Sequence, residues 1–153
     1  MDDKRLVQRL RMLAHFDVDA MAAYEVTLRH LDDEAVREKL SGFRLDHARH
    51  VQDYNALIAQ KGGDPVSLEP DAKGTVLKSL TAASSSLGTR AALRAMLGNE
   101  QLTNATYEVV LRMKWPSEVR ELIKKNREDE RHHQAWVRQT LRAPKPVEAE
   151  HRV

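Results

Sequence analysis

One polar arrangement occurs twice in this chain, and both copies keep the same spacing. Asp17 precedes His47 by 30 residues and His50 by 33, and Glu100 precedes Glu130 by 30 and His133 by 33. The copies stand 83 residues apart, and Tyr24 and Tyr107, each seven residues past its acidic residue, keep that offset. A carboxylate on one helix, with two ligand-type side chains one turn apart on the next, is the unit from which a helical bundle cages metal ions. Two such units point to a pair of cations.

The intervening sequence supports helices throughout, and no segment alternates as a strand would. The first helix is expected from about residue 3 to 31. Asp32 and Asp33 break it, and either can cap a second helix that reaches about Lys61. Gly62-Gly63 and Asp64-Pro65 stop that one. A long connection follows to Gly88, with a short amphipathic helix expected over about 72–87. The third helix runs from Thr89 to about Met113 and ends at Lys114-Trp115-Pro116; Ser117 can cap the fourth, which reaches about Arg142. Short turns make the first two helices antiparallel neighbours and likewise the last two, while the long connection makes the second and third parallel. The expectation is an all-α, antiparallel four-helix bundle of two helix pairs with one long crossover. It forms a single domain over residues 1–142, with 143–153 as a flexible tail.

Periodicity places the polar residues inside. Positions 6, 10, 13, 17, 20 and 24 step by fours and threes, the spacing of an inward seam, and Asp17 occupies one slot. His47 and His50 fall on the seam of the second helix, Glu100 on the third, Glu130 and His133 on the fourth. Height agrees independently: Asp17 and His47 lie 15 residues from the turn at Asp32, and Glu100 and Glu130 lie 15 residues from Trp115. At 1.5 Å per residue each sits roughly 22 Å from its turn, in a common layer. Burying an ionised side chain unpaired costs several kcal/mol against a total stability of roughly 5–15 kcal/mol. Two divalent cations would compensate three carboxylates; a ladder of Asp–His and Glu–His hydrogen bonds with trapped water is the alternative. Asp129 and His132 form a similar pair one residue earlier but fall off the seam, as does Asp46, which could swing in as a replacement ligand. Tyr24 and Tyr107 are expected as hydrogen-bond donors to the ligands or as core tyrosines, and Thr103 and Asn126 as seam residues able to orient a ligand or water. His15, His30 and the basic residues around Arg90 and Lys124 are expected on the surface.

Cysteine is absent, which excludes thiolate metal sites, disulfides and thiol catalysis, so any metal site must use nitrogen and oxygen donors. The sequence has no nucleophile elbow, phosphate-cradling loop or dinucleotide fingerprint. The net charge of +2, with both signs interspersed, argues against nucleic acid as a partner. The charged N-terminal stretch does not read as a signal peptide and no apolar run reaches spanning length, so a cytoplasmic location and no membrane partner are the expectation.

The stretches FRLDHARHVQDYNALIAQKGGDP and NREDERHHQAW, with Glu100 and the E-x-x-H formed by Glu130 and His133, resemble the ferritin-like, rubrerythrin-type superfamily. The resemblance covers roughly residues 3–142. It implies a carboxylate helix followed by an E-x-x-H helix, repeated across a crossover, with Asp17, His47, His50, Glu100, Glu130 and His133 as metal ligands. It implies iron as the metal, with manganese or zinc compatible, and iron-oxidising or peroxide-reducing chemistry with a role in oxidative stress. A homodimer is suggested by the resemblance alone; no redox partner is named by it. The chain departs from the pattern in its first half: Asp17 stands for Glu, and His47 stands where a bridging Glu is usual. That leaves Glu130 as the one bridging carboxylate and favours an asymmetric dinuclear or mononuclear centre. The alternative function is a metal-free, non-enzymatic bundle, stress-associated or a scaffold, whose polar layer is structural.

Overall fold

The computed structural model describes residues 2–69 and 88–143. The short helix expected over 72–87 and the tail beyond 143 lie outside them. Four helices account for the described residues, with no strand among them: α1 (Asp3–Leu28), α2 (Glu34–Gln60), α3 (Thr89–Leu111) and α4 (Ser117–Arg142).

Local chemistry sets the ends. Asp2 Oδ1 accepts from Arg5 N at 2.8 Å and Asp33 Oδ1 from Val36 N at 3.0 Å, so Asp33 rather than Asp32 caps α2. Ser117 does not cap α4 as expected. Pro116 holds the N-cap position, and Ser117 is already helical. The α2 C-terminus closes in a Schellman turn: Gly62, at φ 71°, donates to Ala59 O at 3.0 Å, and Gly63 donates to Ile58 O at 2.9 Å. Arg120 bonds Leu111 O, the last carbonyl of α3, at 2.9 Å and Met113 O just beyond the helix at 2.8 Å. Those of α4 receive Arg90, 2.6 Å from Leu141 O, so Arg90 is a cap and not simply a solvated charge.

Helix α1 packs on α2 and α3, and α4 packs on α3 and α2. The apolar core is divided into two clusters. One joins Leu6, Leu10 and Leu13 of α1 with Tyr54 and Ile58 at the end of α2, Val110 at the end of α3, and Val119 and Ile123 at the start of α4. The other joins Tyr24, Val36, Leu40 and Phe43 with Leu93, Met96 and Val137 at the opposite ends of the helices. α1 and α4 therefore run one way and α2 and α3 the other, so every neighbouring pair is antiparallel. Between the two clusters lies the polar layer. No described helix is long and apolar enough to cross a membrane.

Candidate metal centre

All six residues singled out by spacing meet in that layer: Asp17, His47, His50 and Glu130 are 0% exposed, and Glu100 and His133 1%. Their donor atoms form two sets, Asp17–His47–His50–Glu130 and His47–Glu100–Glu130–His133, and within each set the atoms lie within 4.8 Å of one another. His47 and Glu130 belong to both. Each set draws on both halves of the sequence.

The first set is largely self-satisfied. Asp17 Oδ1 accepts from His47 Nδ1 at 2.8 Å and from His50 Nδ1 at 3.2 Å. Burial pushes the Asp17 carboxyl up, but these hydrogen bonds and the imidazole charges outweigh it and hold the group below its ordinary value. Burial likewise lowers His47 and His50; Glu130 and Asp17 reverse that for His47, and Asp17 and Asp129 for His50, so both end raised.

The second set is not satisfied. His133 Nε2 donates to Asp46 Oδ2 at 3.0 Å, so in the neutral imidazole Nδ1 is an acceptor. That nitrogen faces Glu130 Oε2 at 3.8 Å and Glu100 Oε2 at 3.9 Å. Three atoms thus converge without a hydrogen bond, and Glu130 Oε1 and His47 Nε2 also lack one. The cost shows in the acids. Burial, then the neighbouring Glu130 charge, raises Glu100 to about 7. Burial raises Glu130 to about 8, against the pull of His47 and with a push from Asp17. Acceptors converging at this range need a proton or a cation among them, and nitrogen and oxygen donors of this kind could hold a metal ion.

Around the donors the two halves exchange supports. Tyr24 of α1 donates to Glu100 of α3, and Tyr107 of α3 donates to Asp17 Oδ2 of α1 at 3.3 Å and pairs with the Tyr54 hydroxyl at 3.1 Å. His133 leans on Asp46, and His50 Nε2 lies 3.1 Å from Asp129 Oδ2. Asp46 therefore stands outside both donor sets. It orients an imidazole from behind, as Asp129 does for the other half. Arg49 Nη2 joins them, 2.9 Å from each of Asp46 Oδ1 and Asp129 Oδ2. His132 is exposed. His15 and His30 are half-buried rather than fully at the surface, His30 Nδ1 lying 2.8 Å from Val26 O.

Two placements escape the seam count. Thr103 turns its hydroxyl to Asn99 O on its own helix at 3.0 Å. Asn104 instead ties the two helices together, donating to Glu100 O and Glu130 O, each at 2.9 Å. Neither a protein-family model nor a curated protein matches this chain.

Proposed function

We propose that the layer is a dinuclear transition-metal centre in a ferritin-like bundle. The observation that carries this reading is the second donor set, where His133 Nδ1, Glu100 Oε2 and Glu130 Oε2 converge with no hydrogen bond to separate them. Glu130 suits a shared position, since Oε1 lies 3.4 Å from His47 and His50 and Oε2 turns to His133. The set around Glu100 and His133 is the tighter one, because among the described residues Glu100 Oε2, Glu130 Oε2 and His133 Nδ1 have no hydrogen-bond partner. Asp17 and His50 hold the weaker site, where a cation must displace protons already well bonded.

Iron would supply a redox couple there, suited to oxidising ferrous ions or reducing peroxide; manganese or zinc would also suit the donors. The chain's own part is to exclude water, to hold the ligand carboxylates by the Tyr24 and Tyr107 hydroxyls, and to fix the histidine rings by Asp46, Asp129 and Arg49. The bonded Asp17–His47–His50 cluster favours a second reading: a metal-free structural layer that sets helix register.

Metal content separates the readings. Protein purified without chelator is expected to carry one to two equivalents of iron, manganese or zinc. Restoring metal to stripped protein should raise Tm by on the order of 10 °C, because a ligand that binds only the native state stabilises it. Metal-free protein whose melting ignores added metal would establish the structural layer instead.

A further inference from the structure

The helix faces around the layer are not equally closed. Between α2 and α4 a cleft of about 470 Å³ opens to solvent, lined by Glu38, Lys39, Gly42, Phe43, Asp46 and His132 among others. Between α1 and α3 a smaller cavity of about 190 Å³ is lined largely by apolar groups such as Phe16, Ala20 and Leu102. The first offers two carboxylates and an imidazole, the donors a hydrated divalent cation exchanges water for.

The floor of that cleft is one ring thick. Asp46 is half-buried in the cleft wall, and its Oδ2 bonds His133 Nε2 at 3.0 Å. His133 Nδ1, on the other side of the ring, faces Glu100 and Glu130. Phe43 stacks on the same imidazole at 4.1 Å between centroids and seals the apolar side. The Lys39 ammonium lies over the Phe43 ring, 5.4 Å from its centroid. Gly42 leaves the mouth clear, for a Cβ added there meets nothing within 4 Å.

We propose that this cleft is the route by which divalent transition-metal cations reach the buried donors, with Asp46 as the carboxylate that passes them to His133. The inference rests on the dinuclear-centre reading. Glu38 and His132 draw the cation from solvent. Asp46 then exchanges its hydrogen bond to His133 for the cation, and returns to the imidazole once the ion has moved inward.

Filling the cleft tests the route without touching a ligand. Gly42 is mid-helix with open space beside it, so Gly42→Leu and Gly42→Trp should fold, as helical circular dichroism and melting will check. Stripped protein is mixed with cobalt(II) chloride in a stopped-flow spectrometer, and the visible bands of the bound ion report loading. Gly42→Leu is expected to slow loading several-fold and Gly42→Trp roughly tenfold or more, with Leu102→Trp, in the opposite cavity, within about twofold of wild type. Final cobalt stoichiometry should be the same in all four proteins. Full equilibrium loading at the wild-type rate in Gly42→Trp overturns the route and leaves the metal centre standing. Failure of the wild-type protein to bind cobalt at all overturns both.

Discussion

Glu130→Gln should empty the protein of metal and yet make the stripped protein more stable. Glu130 belongs to both donor sets, so its loss removes a ligand from each cation and bound metal should fall below about a tenth of the wild-type amount. Asp17→Asn, which touches one set, should keep about one equivalent in the second set. In the stripped protein the sign reverses. Glu130 is fully buried with neither oxygen hydrogen-bonded, and burial raises it to about 8. Above that pH Glu130 is ionised in both states, but its charge is buried in the fold and solvated in the unfolded chain. An isosteric amide removes the charge and retains the volume, for a gain of about 2 kcal/mol and several degrees in Tm at pH 8.5. Chelator-treated samples of both proteins, melted side by side, check this. A variant that keeps its metal, or melts below stripped wild type, would contradict the shared-ligand assignment.

Stripped protein should lose stability as pH rises, while the increment from bound metal grows. Glu100 and Glu130 are raised to about 7 and 8 in the fold, against roughly 4.3 in an unfolded chain. Between these values the folded state holds protons that the unfolded state has released, so stability falls as pH rises from about 4.5 to 8. His47 and His50 are also raised; their contribution is complete below about 6.5 and is lost as pH climbs through their folded values. Asp17, Asp46 and Asp129 are lowered, so what they contribute is present above roughly 3.9 and lost in stronger acid. The metal-free protein is thus expected to melt highest near pH 4–5 and on the order of 10 °C lower at pH 8. Cations compete with these same protons, so the increment from metal should grow with pH. A melting temperature in chelator that is flat or rising from pH 5 to 8 would contradict the charge assignment.

The central layer was legible in the sequence because helical period and chain height are independent counts, and both pointed to the same six side chains. Each of the six lay on a seam slot, so no neighbouring helix had to be known. What surrounds them depends on which helices touch. Tyr24 reaches Glu100 rather than Asp17 because α1 packs against α3, and nothing in the spacing states that adjacency. Asp46 and Asp129 share the 83-residue offset, which was a usable signal, but they sit one residue off the seam and reach across a helix boundary to the other half. Asn104 has Met21 as its counterpart and carried no signal at all. Ser117 failed as a cap because Pro116, with its restricted backbone, already stands at the N-cap.

Crystals of protein loaded with manganese or iron, measured at the metal's absorption edge, would test the central claim most directly. Two anomalous peaks are expected in the layer, within about 2.5 Å of Glu130 oxygens, the stronger beside Glu100 and His133. A map without a peak there, with Glu130 and His133 instead bonded to ordered water, would leave the bundle intact and contradict the metal centre.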